Sequence, residues 1–207
     1  RKDLVTELKK HLLFNDIDYK CQGSVGKGQW ASVPWLAIFD RVMTETATKG
    51  VYIVYLVNPI NETVSLSLNQ GTTSVYQQFG ETRGREVLAR RSQDLAELVP
   101  EFKTTFSQSK IDLSSNASLP LGYEAGHVFG TTYSDKNLNV PKFYSDLSIM
   151  LKLYRSVIDR GADTPLDTID SSLKISDVTE ARKYILSRRI ERAPNVRKKS
   201  FQNKNIE

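Results

Sequence analysis

The sequence predicts a mixed α+β domain in which helices flank a central, mostly antiparallel β-sheet, with a helical linker at the C-terminal end. Two patterns support this fold class. Residues 51–57 form a β-branched and aromatic run, and the turn at 58–61 leads into the alternating run 64–68, which together are typical of a β-hairpin. Residues 141–160 place apolar side chains on one helical stripe, and Gly161 follows as a stop signal.

The bulk composition is that of an ordinary globular protein. The chain has 207 residues, of which 39% are apolar and 26% charged. It contains no apolar run of membrane-spanning length and no signal-peptide pattern, so we expect a soluble, cytoplasmic chain. A single cysteine and two histidines exclude an internal disulfide framework and leave no recognisable zinc set, so we expect neither a metal nor another cofactor.

Positive charge is concentrated at the C-terminal end. Residues 182–207 contain nine Lys or Arg and two Glu, a net charge of +7, so that residues 1–181 carry −2 of the total of +5. Any nucleic-acid binding by the body of the chain must therefore use a local patch. We predict two parts: a recognition domain at 1–160, and a linker with a basic helical segment at 161–207 that leads to a further effector domain.

The first elements along the chain follow from periodicity and glycine placement. Residues 1–14 carry a one-sided helical stripe. A glycine-punctuated loop at 23–28 runs into an apolar strand at 33–39. Both faces of the strand at 51–57 are apolar, which predicts a central strand covered on both sides, with a helix on one face and a pocket wall on the other.

The pattern becomes helical after Gly71 and stays so up to Pro100, with a break at Gly80 or Gly84. Residues 124–130 are predicted to return a strand to the sheet. Arg83 and Arg85 fall at the break and allow two interpretations. They either belong to a solvated helix face of mixed charge or contact phosphate at the broken turn.

Two catalytic or nucleotide-binding patterns can be compared with this chain. A phosphate-binding loop needs GxxxxGK followed by Ser or Thr at the start of a helix. Here Lys27 is followed by Gly28 and then by a predicted strand, so the sequence does not match this loop. The nearest approximation to a metal-dependent nuclease motif is Glu101-Phe102-Lys103 with Asp94 upstream, in a stretch that is otherwise helical. We therefore expect a binding module without catalytic residues, and keep a self-contained metal-dependent nuclease as an alternative.

An ordered set of motifs runs through the central stretch: a GxGxW loop, a VPW step, and segments reading AIFD, GVYIVYL and LSLNQGTT. This set resembles the N-terminal DNA-binding domain of McrB-type, modified-cytosine-dependent (type IV) restriction proteins. The similarity continues through 122–126 and 143–158 and covers about three quarters of the chain.

The resemblance implies a specificity domain of a restriction endonuclease in phage defence. Its partner would be double-stranded DNA that contains 5-methylcytosine or 5-hydroxymethylcytosine, and no membrane would be involved. An effector nuclease or a GTP-driven translocase domain would act in cis or in trans. A nucleic-acid binder without preference for modified bases is a further alternative.

The resemblance also implies that the modified base is flipped out of the duplex into an aromatic pocket. By motif position the pocket residues are Trp35, Tyr52 and Leu56, with Tyr123 as a further candidate. Flipping costs a few kcal/mol, and stacking on aromatic side chains returns about 1–3 kcal/mol per base. The methyl group contributes only about 0.8 kcal/mol, so pocket shape must supply most of the selectivity.

The resemblance further implies that a residue of the glycine loop enters the duplex, as it does in the resembled family. Lys27 stands at that position, where a family member carries an aromatic residue. Lys27 could fill the space that the flipped base leaves in the duplex with its methylene stem. Alternatively, Lys27 could bind phosphate while Gln29 or Trp30 enters the duplex as a wedge. The hydroxyls of Ser24 and Ser32 either donate to phosphate or cap turns. The candidates for phosphate binding are thus Ser24, Lys27, Ser32, Arg83 and Arg85.

Overall fold

A computed structural model describes residues 19–26, 30–40, 43–134, 136 and 138–162. The chain divides into two compact units, Arg1–Val157 and Ile158–Glu207. The described part of the first unit contains a five-stranded antiparallel sheet whose strand order equals the sequence order, with helices packed on it. In chain order the elements are β1 (Tyr19–Ser24), β2 (Trp35–Asp40), β3 (Val51–Asn58), β4 (Thr63–Gln70), α1 (Thr72–Phe79), α2 (Glu81–Leu98), a 3₁₀ turn (Pro100–Thr104), α3 (Ser118–Ala125), β5 (Phe129–Ser134) and α4 (Val140–Asp159).

The predicted α+β fold and the β3–β4 hairpin are confirmed. The pairing of the two strands runs from Val51 with Gln70 to Asn58 with Thr63. The Asn58 side-chain oxygen accepts hydrogen bonds from the backbone N–H groups of Ile60 and Asn61, at 3.0 and 3.1 Å. This asparagine therefore holds the tight turn that its position in the sequence predicts.

β3 is the central strand, and all of its residues except Val57 are buried. The Tyr55 ring stacks on Phe143 of α4 with ring centroids 4.9 Å apart, so α4 covers this face. On the other face Tyr52, Val54 and Leu56 join a hydrophobic cluster with Ile111 and Leu113. The prediction of a strand covered on both sides is confirmed.

The helical stretch after Gly71 breaks at Gly80, which has a φ of +75° and separates α1 from α2. This conformation favours glycine because it has no Cβ. Gly84 lies inside α2 instead, where an added Cβ would approach the Tyr76 ring to 2.6 Å. It therefore permits close packing of the two helices.

Two predicted elements are wrong in type. Gly23 and Ser24 belong to β1 rather than to a loop, because they pair with Leu36 and Trp35 of β2. Glu124 and Ala125 end the helix α3 rather than begin a strand, and β5 starts only at Phe129. α3 is anchored by tertiary contacts, for instance the Glu124 carboxylate oxygen that accepts the Leu113 N–H at 2.8 Å.

Several predictions lie outside the described residues. They are the helix at 1–14, Lys27, Gln29, and the linker with the basic helical segment beyond residue 162. The division at residue 160 also stays a prediction. Among the helices that the structure describes, none combines the length and the apolar character needed to cross a membrane.

Candidate functional site

A cavity lies on the face of β3 that α4 does not cover. Trp35 is opposite Leu56 in the β2–β3 pairing, and Tyr52 is opposite Asn69 in the β3–β4 pairing, so these side chains share one face of the sheet. Tyr123 reaches the same space from α3. The structure thus brings together all four residues predicted for the pocket. The complete lining is Trp35, Ala47, Tyr52, Val54, Leu56, Asn69 and Tyr123.

The cavity has a buried floor and a partly exposed rim. On the floor Tyr52 and Leu56 are each 2% exposed and Asn69 is 1% exposed. Trp35 and Tyr123 are half-buried and form the rim together with Ala47. The space open to the centre of a water molecule is about 10 Å³, which is room for about one water. A cytosine base is several times larger, so it can enter only if the rim side chains move apart.

The two tyrosines of the cavity are held neutral. Burial raises the pKa of Tyr52, and the neighbouring Tyr123 phenol raises it further. Burial likewise raises the pKa of Tyr123, with a smaller contribution from Tyr76. The Tyr52 hydroxyl donates to the backbone carbonyl of Ala47 at 3.0 Å. The lining of the cavity is therefore uncharged and largely aromatic and aliphatic.

The Asn69 amide links the floor to the rim. Its side-chain nitrogen donates to the Tyr123 carbonyl at 2.9 Å and to the Ser67 hydroxyl at 3.1 Å. Its side-chain oxygen accepts the Gln70 N–H at 2.8 Å. Both amide hydrogens are thus in use, which fixes the orientation of the amide group.

His127 supports this arrangement from the far side of Ser67. The imidazole Nδ1 lies 2.7 Å from the Ser67 Oγ, and the ring also bonds the Ser107 backbone. Burial lowers the pKa of His127 to about 4, and the bond to Ser107 opposes this only in part. The Nδ1 of the neutral ring can therefore accept a hydrogen bond from the Ser67 hydroxyl, while the Ser67 oxygen accepts one from the Asn69 amide.

Sequence reasoning missed Ala47, Val54 and Asn69. The alternation of Ser65, Ser67 and Asn69 along β4 usually indicates a solvent-facing side. Here these polar residues are buried. The signal available in the sequence was the pairing of Asn69 with Tyr52, which follows once the hairpin register is known.

The loop between β1 and β2 presents an exposed tryptophan. Trp30 is 84% exposed, the highest value for a large apolar side chain among the described residues. The Ala31 N–H donates to the Val25 carbonyl at 2.9 Å and closes the loop. Lys27 and Gln29 fall between Val25 and Trp30 in the sequence and lie outside the described residues.

Residues 1–159 match the family model described as MrcB-like, N-terminal domain. The chain belongs to this family. The recognition made from the motifs is confirmed, and membership supports DNA binding in the context of a restriction system. McrB N-terminal domains are DNA-binding targeting domains. No curated protein matches the chain.

In this MrcB-like domain the two serine candidates flank the exposed loop. Ser24 ends β1, and its hydroxyl oxygen accepts the Gly26 N–H at 3.4 Å. Ser32 is exposed, and its hydroxyl oxygen lies 3.5 Å from that of Ser115. The Ser24 hydroxyl thus makes a local contact and the Ser32 hydroxyl a long-range one, and a phosphate-binding role for either stays a prediction.

The arginine candidates lie on the first turns of α2 and do not line the cavity. Arg83 is exposed, and its guanidinium carbon stands 5.9 Å from the centre of the Phe79 ring. Arg85 is partly exposed. A phosphate-binding role for either residue stays a prediction.

The residues of the nuclease alternative lie elsewhere in this MrcB-like domain. Glu101 and Lys103 are exposed on the 3₁₀ turn, and Asp94 lies on α2. Within the described ranges, no group of three or more His, Cys, Asp or Glu side chains is arranged to hold a metal ion.

Proposed function

We propose that this MrcB-like domain binds double-stranded DNA at a modified cytosine and accepts that base, rotated out of the duplex, in the cavity of β3. One observation carries the proposal. Trp35 of β2, Tyr52 and Leu56 of β3, and Tyr123 of α3 line a single cavity.

The energetics of flipping fit these residues. Extruding a base costs a few kcal/mol of stacking and pairing. Stacking of the base against Trp35 and Tyr123 would return about 1–3 kcal/mol. Trp30, which is 84% exposed, is the candidate to fill the space that the base leaves in the duplex. Trp35 and Tyr123 separate as the base enters, whereas the buried floor keeps its position.

Selectivity for the modification comes from the floor. Val54 and Leu56 present aliphatic surface on which the 5-methyl group can be buried, for a gain of about 0.8 kcal/mol. The polar groups nearby are already engaged, since the Tyr52 hydroxyl donates to Ala47 and the Asn69 amide hydrogens bond Ser67 and Tyr123. We therefore expect 5-methylcytosine to be bound at least as well as 5-hydroxymethylcytosine.

The domain then acts as the targeting part of a modification-dependent restriction system against phage DNA in the cytoplasm. DNA is cleaved by an effector nuclease, or by a nuclease that a GTP-driven translocase recruits. This effector lies either on the same polypeptide or on a partner. The cavity residues contribute binding and orientation and no bond-breaking chemistry.

The test compares duplexes that differ only at one cytosine, at fixed salt. The full chain is titrated with duplexes containing cytosine, 5-methylcytosine or 5-hydroxymethylcytosine, alongside Trp35→Ala and Trp30→Ala. Trp35→Ala should weaken binding of the modified duplex by roughly 5- to 100-fold, the effect of one lost stacking partner, and should abolish the preference. Trp30→Ala is the matched control, because it should weaken binding to all duplexes and leave part of the preference.

A fluorescent base analogue beside the target cytosine reports flipping directly, because unstacking raises its emission. Equal affinity of the native chain for all three duplexes would contradict the proposal and favour a general nucleic-acid binder. Metal-dependent cutting by the chain alone, lost in Glu101→Gln or Lys103→Ala, would favour the nuclease alternative.

A further inference from the structure

Exposed apolar side chains are concentrated at one end of the sheet. Because the strands are antiparallel and in sequence order, the described residues of the β1–β2 loop, of the β3–β4 turn and of the segment after β5 lie at this end, here called the loop end (residues 25–26, 30–34, 59–62, 136 and 138–139). Five large apolar side chains are exposed among the described residues, and four of them lie in these segments or directly after them: Trp30 at 84%, Ile60 at 73%, Val140 at 60% and Leu138 at 53%.

Such clustering is informative, since isolated exposed apolar residues are normal but contiguous ones mark interaction sites. The β3–β4 turn and the β1–β2 loop leave the sheet at the same end, two strand spacings apart, or roughly 10 Å between the strand ends that carry them. The major groove of B-DNA is about 12 Å wide and the minor groove about 6 Å. The separation of the strand ends is thus comparable to a groove width, so one duplex docked at this end could contact both connections.

Hydrogen bonds from the Asn58 side chain hold the turn that carries Ile60 in one conformation. Asn58 is 1% exposed, and its side-chain oxygen accepts from the backbone of Ile60 and Asn61. Its side-chain nitrogen donates to the Asp112 carbonyl and to the Ser114 hydroxyl, each at 3.0 Å. All the hydrogen-bonding capacity of this amide is thus used to hold a turn that presents an isoleucine to solvent. A turn that is already held by hydrogen bonds loses little conformational freedom on binding.

The segment that holds the turn, residues 112–115, also contacts the β1–β2 loop. Asn61 donates to the Asp112 carboxylate at 3.0 Å, and the Ser115 hydroxyl stands 3.5 Å from that of Ser32. The Ile60 turn and the Trp30 loop are therefore connected through one intermediate segment. They can meet the duplex as a unit.

The charges around Ile60 indicate which part of the DNA it meets. Glu62 and Asp112 are exposed carboxylates at the turn and in the segment that holds it, and they disfavour contact with phosphates. Lys136 is exposed on the neighbouring segment. These carboxylates oppose binding near Ile60, so a contact made there must gain its affinity from apolar contact with base edges and sugars rather than from phosphates.

We propose that Ile60 is a second apolar contact with the duplex, seated in the groove next to the base pair that Trp30 enters. The inference rests on the proposed function and adds to it a specific contact outside the base pocket. Ile60 supplies affinity for DNA of either modification state, because it lies away from the cavity lining.

The experiment measures binding of the full chain to plain and 5-methylcytosine duplexes over a range of salt concentrations. Ile60→Ala should weaken binding to both duplexes by about 5- to 20-fold, the effect of exposing one buried aliphatic side chain. The slope of affinity against salt should not change, because no charge is altered. Ile60→Leu should retain affinity, and Glu62→Gln should strengthen binding to both duplexes.

Met43→Ala is the matched control, since Met43 is a partly exposed apolar residue in the connection at the opposite end of the sheet. It should bind like the native chain. An Ile60→Ala variant that binds within about twofold of the native chain, the range of neutral surface changes, would overturn the inference. A native chain that prefers neither duplex would instead overturn the proposed function, so the two failures are distinguishable.

Discussion

The two faces of β3 are buried to the same degree but are covered in different ways. Tyr55 is 4% exposed and Tyr52 is 2% exposed. The Tyr55 face is covered by α4, a long regular helix. The Tyr52 face is covered by shorter pieces, among them α3 and a loop that carries Ala47, and a cavity remains there. A long helix can fill a sheet face, whereas separate short segments leave space and can move independently.

Charge distinguishes the faces as clearly as packing does. On the α4 side the Arg155 guanidinium contacts the Asp40 carboxylate at 2.9 Å, and that carboxylate is 2% exposed. The Tyr133 hydroxyl donates to the Asp146 carboxylate at 2.8 Å. The cavity lining contains no ionisable groups other than tyrosines. An ion pair and a hydrogen bond to a carboxylate therefore help to fix α4 on its face, while the lining of the cavity on the other face is neutral.

The largest expected effect is on stability, at the α4 face. Tyr154 is fully buried, and its hydroxyl donates to the Val51 carbonyl at 2.7 Å. Tyr154→Ala should lower the free energy of unfolding by about 3–5 kcal/mol, as for other large-to-small core changes. Urea denaturation measures this loss. Trp35→Ala, on the rim of the cavity, should cost less because the side chain is only half-buried.

Tyr154→Phe serves as the control for that change. It keeps the ring and removes the hydroxyl, so it should cost about 1–3 kcal/mol through the unpaired Val51 carbonyl. If Tyr154→Ala left stability unchanged and abolished DNA binding instead, the assignment of stability to the α4 face and function to the other would be reversed.

The next effect is a pH dependence that belongs to the cavity face. The pKa of His127 is lowered to about 4, from about 6.5 in the unfolded chain. The unfolded chain therefore takes up the proton first, so stability is present above pH 6.5 and is lost as the pH falls toward 4. The loss is on the order of 3 kcal/mol. Protonation also removes the acceptor for the Ser67 hydroxyl and so weakens the support of Asn69.

Urea denaturation at pH 7 and pH 4.5 measures this dependence. His127→Gln should be less stable than the native chain at pH 7, and the difference between the two proteins should shrink at pH 4.5. Carboxylates titrate alike in both proteins, so the comparison isolates His127. A difference that stayed constant with pH would show that His127 is not buried in its neutral form.

Much of this fold could be predicted because it is encoded locally. The β3–β4 hairpin follows from an apolar run, a turn around Asn58 and an alternating run, and α4 follows from its apolar stripe. β1 could not be predicted, because its sequence YKCQGS is polar and contains glycine. It is a strand because it pairs with β2. α3 contains Pro120 and Gly122 and depends on packing against its neighbours.

The candidate site shows the same division. Trp35, Tyr52, Leu56 and Tyr123 were placed by family resemblance, and their convergence needed the strand register as well. Ala47 lies in a connection with no periodicity, so nothing in the sequence brings it to the cavity. Asn69 belongs to an alternating polar set that usually faces solvent. The burial of this set depends on α3 and His127, which are distant in the sequence.

The smallest expected effect tests whether the cavity itself receives the base. Val54 is 3% exposed and lies on the floor. Val54→Ile adds one methylene to a space that holds about one water. Stability should change by less than about 1.5 kcal/mol, as for other small changes of core volume. The base would meet an occupied floor, so affinity for the 5-methylcytosine duplex should fall by about tenfold, the effect of 1.4 kcal/mol.

Ile53→Val is the matched change on the opposite face of the same strand, where Ile53 is fully buried. It should cost about 0.5–1.5 kcal/mol of stability and leave the ratio of affinities for modified and plain duplexes unchanged. Titrating both variants with both duplexes at one salt concentration makes the comparison. If Val54→Ile kept the native ratio, the base would have to bind elsewhere, and the difference between the two faces of β3 would be one of packing alone.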